Sequence, residues 1–309
     1  EVDNWNDTCL KAQKKLNLKN PLILTSKGCF KRNELSSVFK LESIYSKINP
    51  DPTFQSCQAA IDFSNRSTFD GVIAMGGGSV MDTAKAVMAS MATNEKDIRK
   101  IFKITKPYKE KIPSIFIPTT HGTGSEVTKW GTIWNIKEMR KYSISHNDLY
   151  PTFAILDGSL TLTLSIENSF ITILDALSHS LESIWNKNAN ETSTNLAVKS
   201  AVYILTNAFN IKNEPSNLNL RKGLLKASSI AGLAFSNTKT AAAHSISYPL
   251  TIHYGIPHGI ASSITLIPLL QINKVSINDI LEKICSDNCI TLNELILKIE
   301  SIPHLVVPN

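Results

Sequence analysis

Between residues 20 and 157 the chain alternates short apolar runs with helical stretches, and two of those runs close on glycine. PLILTSKG (21–28), SIYSKI (43–48), GVIAMGGGS (71–79) and SIFIPTT (114–120) each read as a strand. Strands separated by helices in this rhythm belong in a parallel sheet with helices on both faces. TIWNI and KYSISH, around Thr132 and Lys141, read as a hairpin, and FAILD (153–157) as one more strand. From about residue 160 helical periodicity takes over. The expected organisation is therefore an α/β N-terminal domain (1–160) with a doubly wound, Rossmann-like parallel sheet, followed by an all-α C-terminal domain (161–309). A length of 309 residues with 42% hydrophobic content is enough for two such cores.

Composition narrows the classes of partner. The formal net charge is +6, but the lysines are spread along the chain without a nucleic-acid-binding motif, so no nucleic-acid partner is expected. A mild positive balance suits an anionic small molecule equally well. The longest apolar stretch, residues 260–272, is interrupted by Ser262, Ser263, Pro268 and Gln271, and reads as a packed helix rather than a membrane span. The opening EVDNWNDTCLKAQKK is too polar for a secretory signal. Five cysteines, Cys9, Cys29, Cys57, Cys285 and Cys289, are odd in number and include no Cys-x-x-Cys pair, which argues against a disulfide framework and a zinc ribbon. A reducing cytoplasm is the expected location.

Four residues stand at spacings suited to one divalent-metal site. Asp175 and His179 are four apart, so a helix would project them from one face. His244 and His258 follow, separated by a segment containing Pro249, Gly255 and Pro257, which would end one helix and start another and let the pair converge from two elements. In a chain with seven histidines an Asp-x-x-x-His pair also arises by accident, so the pair alone decides little. Its surroundings add weight: FITILDALSHSLESIW is an apolar run in which a buried carboxylate and imidazole need partners. Three imidazoles and one carboxylate suit Fe²⁺ or Zn²⁺ better than Mg²⁺ or Ca²⁺.

A second constellation lies in the first half. Val72, Ile73, Ala74 and Met75 end a strand, and Gly76, Gly77, Gly78 and Ser79 lead directly into the helical MDTAKAVMAS. Glycines there allow close backbone approach, and free amides at a helix start attract phosphate. The pattern is not G-x-G-x-x-G, so an ordinary glycine-rich turn is its plain rival. Pro118-Thr119-Thr120-His121-Gly122-Thr123-Gly124-Ser125-Glu126 follows another strand; hydroxyls and glycines at that end of an open α/β sheet are where ligands bind. Two such loops after two strands favour a nucleotide crevice.

Taken together, Gly76-Gly77-Gly78-Ser79-x-x-Asp82-x-Ala84-Lys85, Pro118-Thr119-Thr120-x-Gly122-Thr123-Gly124-Ser125-Glu126, Asp175-Ala176-Leu177-x-His179 and Pro257-His258-Gly259 resemble the iron-containing alcohol dehydrogenase family, in its order and over residues 20–270. Within it, VTKWGTIWNIKEMRKYSIS and HSISYPLTIHYGIPHG look most like the phosphonoacetaldehyde reductases. The resemblance implies a dehydroquinate synthase-like two-domain fold, a metal on Asp175, His179, His244 and His258, and NADPH or NADH on Gly76, Gly77, Gly78 and Ser79, touched by Thr119, Thr120 and Thr123. It implies that Asp82 and Lys85 line the nicotinamide or substrate end, against the simpler reading of an intrahelical ion pair. Many members carry a second histidine four residues after the first metal histidine of the helical domain. Here that place is Tyr248, so the proton relay is expected to run through Tyr248, a water or the nicotinamide ribose, with His253 more naturally a structural or surface residue.

Members that prefer NAD often have an acidic residue after the first strand. This chain has Ser26, followed by Lys27, which removes the repulsion against a 2′-phosphate and inclines the expectation to NADPH or dual use. The implied reaction is hydride transfer between NAD(P)H and an aldehyde or primary alcohol, specifically phosphonoacetaldehyde to 2-hydroxyethylphosphonate, with Lys129, Lys141 and Lys239 as cationic candidates for the anion. A homodimer is the assembly the resemblance suggests. The rivals are another alcohol dehydrogenase of the family, a sugar-phosphate cyclase resembling dehydroquinate synthase, and a non-catalytic protein that keeps the fold.

Overall fold

Strands that are buried along their whole length need hydrogen-bonded neighbours on both sides and apolar cover on both faces. In the computed structural model, which describes residues 1–104, 108–287 and 289–304, the apolar runs of the first half meet that requirement. Strands β1 (Leu22–Thr25), β2 (Ile44–Tyr45), β3 (Val72–Gly76), β4 (Ser114–Pro118) and a two-residue edge strand (Phe153–Ala154) pair in parallel, in the order β2-β1-β3-β4-edge. Leu22, Leu24, Val72, Ala74 and Phe116 share one core cluster with Val80, Ala84, Val87 and Met88 of the helix Gly78–Thr93, while Ile23, Ile73, Ile115 and Ile117 are buried as well. The period of two thus fills both faces.

The strands are shorter than the apolar runs suggested. Residues Lys27–Arg32 form a helix immediately after β1, and only Ile44–Tyr45 of the second run pairs. The reason lies partly in Ser26, whose hydroxyl accepts the Cys29 N–H and caps that helix one residue beyond the strand. The hairpin stands apart as a two-stranded antiparallel sheet, Trp130–Asn135 with Arg140–Ser145, in register from Trp130↔Ser145 to Asn135↔Arg140.

The chain divides into two compact units, one comprising Glu1–Thr119 and Ser125–Asp157, the other Thr120–Gly124 and Gly158–Asn309. In the second unit the helix Ile166–Ile184 is central: Phe170, Leu174, Leu177 and Leu181 join a core with Ala197, Ala201 and Leu205 of Glu191–Asn207 and Leu224 and Ala227 of Leu218–Thr238. Its serines remain buried because each bonds backward to a carbonyl one turn earlier, as Ser178 does to Leu174 and Ser183 to His179. The Ser180 hydroxyl is 2.9 Å from that of Ser200, whose own proton goes to the Ala227 carbonyl, so a line of hydroxyls crosses three helices.

By length and composition the stretch His258–Ser286 would suffice to cross a membrane, with a mean hydropathy of 1.4. It is not one helix. It breaks into His258–Ser263, Leu266–Asn273, a 3₁₀ turn and Asn278–Asp287, and Leu266, Leu270, Ile277, Leu281 and Ile284 pack into the helical core.

One buried brace shapes the segment after β4. Lys85 is wholly buried, and its ammonium donates toward the Ser125 carbonyl (2.8 Å), the Ser125 hydroxyl (2.7 Å), the Thr128 hydroxyl (3.0 Å) and the Trp130 carbonyl (2.6 Å). Burial pulls its pKa down to about 8, opposed by Asp82 and Glu126, so the ammonium keeps its proton at neutral pH. Asp82 completes the brace by accepting from the Ser125 hydroxyl (2.8 Å) and the Thr132 N–H (3.0 Å). Replacing Lys85 by Met leaves those acceptors stranded, and urea unfolding should show a loss of about 3–5 kcal/mol. The same change at exposed Lys14 should stay within about 0.5 kcal/mol.

Candidate functional site

The polar face of the central helix carries the site. Asp175, His179 and Glu182 sit at i, i+4 and i+7 on Ile166–Ile184 and are all buried. The helix Ala242–Tyr254 brings in His244, and the chain turns at Gly255, in the left-handed conformation, before Pro257 starts the helix headed by His258. Gly259 is obligatory by close packing, since a Cβ there would lie 1.8 Å from the Ile171 carbonyl oxygen. The absence of a side chain lets His258 approach Asp175.

One oxygen organises the group. Oδ1 of Asp175 lies 3.4 Å from Nε2 of His244, 3.6 Å from Nε2 of His258 and 3.9 Å from Nε2 of His179. Asp175, His244 and His258 form the compact triad, with ligand atoms within 4.8 Å of one another, and His179 joins it through Asp175. With ligands 2.0–2.1 Å from a tetrahedral ion, neighbouring donors stand about 3.4 Å apart. Asp175 Oδ1 and His244 Nε2 are buried and have no hydrogen-bond partner, although they face each other. Orphaned donors aimed at one point, from residue types that bind borderline ions, fit a divalent metal.

Electrostatics agree with the geometry at Asp175 and His179, while at His244 burial is outweighed by the carboxylates of Asp175 and Glu182, which raise its pKa to about 9 in the absence of a metal. Burial opposes the charge of Asp175, but His179, His244 and His258 outweigh it and hold its carboxyl well below the usual range. Burial pushes His179 down to about 3, against the pull of Asp175, so its ring is neutral and able to ligate. That ring lies between Phe235, at 4.1 Å, and His244, at 4.4 Å, both nearly parallel to it. His258 retains 33% of its side-chain exposure, against 3% for His244, so the cluster is open on that side. Tyr248, one turn after His244, is half-buried with its ring parallel to that of His258 at 6.4 Å.

The glycine turn has the expected construction. Gly76 has φ +159°, and a Cβ there would meet Val80 at 2.5 Å, so the strand must end on glycine for the helix to start so close behind it. Gly77 caps Gly78–Thr93 without a side-chain hydrogen bond, leaving the helix start open to an anion. The order β2-β1-β3 makes the gap between β1 and β3 a switch point, because the chain departs from the two strands in opposite directions. Ser26 follows β1 and Ser79 follows β3, one on each side of it; Ser79 accepts the Asp51 N–H. Thr119 donates its N–H to the Gly76 carbonyl (3.0 Å), which ties the second loop to the first.

The structure shows what surrounds the remaining candidate residues. Lys85 is enclosed and committed to the Ser125–Trp130 segment, and the carboxylate oxygens of Asp82 accept from Ser125 and Thr132, so the pair braces a loop. The physical reason is that carbonyls reach the Lys85 ammonium from inside the unit. Thr120 and Thr123 belong with the helical unit, as does His121, whose ring is enclosed between Thr172 (3.1 Å) and Arg221 (3.3 Å). Burial and then Arg221 hold His121 down to about 3; arginine only donates, so Nε2 accepts and Nδ1 carries the proton. His253 is exposed on the last turn of its helix. Glu182 was not anticipated from the sequence, although its spacing of three from His179 in the same apolar run was the available signal.

The comparisons with known proteins extend over the same two regions. The profile described as iron-containing alcohol dehydrogenase matches residues 7–158, and that of the C-terminal part of the Fe-containing alcohol dehydrogenase family matches residues 169–294. Long-chain-alcohol dehydrogenase 1 of Geobacillus thermodenitrificans is 31% identical over 270 residues, 84% of this chain and 68% of that protein. Sulfoacetaldehyde reductase of Bilophila wadsworthia is 31% identical over 220 residues, 71% of this chain and 57% of that protein. The crystal structure of sulfoacetaldehyde reductase from Bifidobacterium kashiwanohense in complex with NAD⁺ superimposes with a TM-score of 0.85 at 27% identity, covering 96% of this chain and 83% of that one. With both halves matched and the orphaned carboxylate–imidazole cluster in the helical half, this chain belongs to the iron-containing alcohol dehydrogenase family of oxidoreductases.

Proposed function

We propose that this protein is a metal-dependent, nicotinamide-linked reductase of a small anionic aldehyde, with Asp175, His179, His244 and His258 as the metal ligands. The observation that carries the reading is the Asp175 oxygen facing three imidazole nitrogens at 3.4–3.9 Å with no hydrogen-bond partner of its own. A divalent ion bound there supplies Lewis acidity toward a carbonyl oxygen. The chain's own contribution is to orient and to protonate. His179 is immobilised between two rings, and Tyr248, beside His258, offers a phenolic proton for the reduced oxygen without having to carry positive charge. The open side of His258 is the direction for substrate.

The substrate class follows from charge and kinship. The net charge of +6 favours an anion, and two of the similar proteins are sulfoacetaldehyde reductases. Our specific reading is phosphonoacetaldehyde, reduced to 2-hydroxyethylphosphonate. Sulfoacetaldehyde shares its plan of a two-carbon aldehyde bearing a tetrahedral anion. Of the candidate lysines, Lys239 is exposed, Lys129 reaches Asn147 at 2.9 Å, and Lys141 lies in the hairpin opposite Trp134. For the cofactor we favour NADPH or dual use: Ser26 is uncharged, its hydroxyl caps a helix, and exposed Lys27 adjoins it. Five free thiols fit a reducing cytoplasm, and we take the assembly to be a homodimer.

Purified protein loaded with Fe²⁺ or Zn²⁺ should consume NADPH when given phosphonoacetaldehyde or sulfoacetaldehyde, followed by nicotinamide absorbance, and Asp175→Ala should lose tight metal binding and turnover together. No turnover with any aldehyde in a broad panel removes the reductase reading, and full activity in Asp175→Ala shows the site to be elsewhere. Replacing Ser26 by Asp should lower kcat/KM for NADPH relative to NADH by about tenfold or more, the scale of one charge repulsion of about 1–2 kcal/mol; an unchanged ratio refutes the cofactor assignment.

A further inference from the structure

Glu182 is fully buried, yet nothing in its own helix explains a carboxylate there. Four donors converge on it from a segment about 60 residues away. Oε1 accepts the N–H groups of Ala243 (2.6 Å) and His244 (3.3 Å); Oε2 accepts the Ala241 N–H (3.0 Å) and meets Nδ1 of His244 at 2.6 Å. The helix Ala242–Tyr254 begins at Ala241 without a capping side chain of its own. A carboxylate reaching across from another helix satisfies those amides and complements the positive end of the dipole.

We propose that Glu182 is the positioning residue of His244: it holds the ring so that Nδ1 carries the proton and Nε2 is bare and directed at the Asp175 oxygen. An ionised carboxylate only accepts, so the nitrogen 2.6 Å from it must be the donor. The proton is thereby placed on the side away from the ligand cluster. The same carboxylate caps the helix that carries His244, so one group fixes both the helix start and the ring. Asp175, His179 and Glu182 lie on one face of one helix, so a single rigid element presents two ligands directly and sets the orientation of a third. This inference rests on the metal assignment above.

Glu182→Gln keeps part of the cap and reverses the contact to the ring. Its carbonyl oxygen can keep the Ala243 and His244 amides, while its amide group gives up the Ala241 N–H and faces Nδ1, which must then accept, and the ring proton moves to Nε2 opposite Asp175. Titration of the full-length wild type and Glu182→Gln with Co²⁺, by competition with a chromophoric chelator and by the visible d–d spectrum, should show affinity falling about 10–100-fold. Nitrogen NMR shifts of the His244 ring in the metal-free proteins, recorded above about pH 10 so that the ring carries a single proton and assigned against His244→Gln, should read Nδ1–H in the wild type and Nε2–H in the variant. Wild-type affinity and spectrum in a folded Glu182→Gln overturn the proposal while leaving the metal site standing. A drop in thermal stability with neither affinity nor tautomer altered also overturns it, because that is a cap alone. Should the variant fail to fold, an Nε2–H tautomer in the wild type is sufficient to overturn it. Absence of Co²⁺ binding by the wild type removes the metal assignment, and the ligand-positioning role with it.

Discussion

Everything in the helical half is arranged around a helix that is buried along most of its length and still carries a carboxylate, an imidazole and a second carboxylate on one face. Groups of that kind are expensive to take out of water unless each finds a partner. Glu182 finds four donors within the protein, and its net charge is thereby held. Asp175 instead faces three imidazole nitrogens at 3.4–3.9 Å, with Oδ1 lacking a hydrogen-bond partner. The two carboxylates, seven residues apart on one face, thus differ in that one is satisfied within the protein and the other is not. Hydroxyl chains such as Ser180–Ser200–Ala227 let neighbouring helices close on this polar face without leaving unpaired groups.

The sheet half solves a different problem. A parallel sheet has its ligand side where the chain leaves two adjacent strands in opposite directions, and here β1 and β3 are those strands. Both departures are built from small residues, Ser26 on one side and Gly76 to Ser79 on the other, so the backbone itself lines the gap. The buried Lys85–Ser125–Asp82 brace then sets the path of the chain from the end of β4 into the hairpin. This accounts for a lysine with no surface at all: two backbone carbonyls and two hydroxyls inside the unit take the place of water around its ammonium.

Residues 120–124 show how a short polar segment can belong to a unit other than the one its flanks belong to. His121 is held neutral between Thr172 and Arg221, and Arg221 is itself committed to Ser169, Pro215 and Leu164. A Thr- and Gly-rich loop after a strand suggests cofactor contact for every hydroxyl in it. The histidine at its centre instead serves packing, because its two nitrogens are used by a hydroxyl and a guanidinium inside the helical unit.

Much of the architecture was readable from the chain alone because it is periodic. Apolar runs of period two ending in glycine specify buried parallel strands, and the change to helical periodicity after residue 160 specifies a different kind of core. Asp175, His179, His244 and His258 were also legible, since i, i+4 spacing and the Pro–Gly breaks are local geometry. What only the tertiary structure decided is which polar side chains face inward and what meets them there. Carbonyls forty residues away hold the Lys85 ammonium, and the amides of a distant helix start converge on Glu182, neither of which the local spacing of these residues specifies. Spacing along one helix is a local property, whereas the partner that satisfies a buried charge is chosen by packing between elements remote in sequence, and no local pattern encodes it.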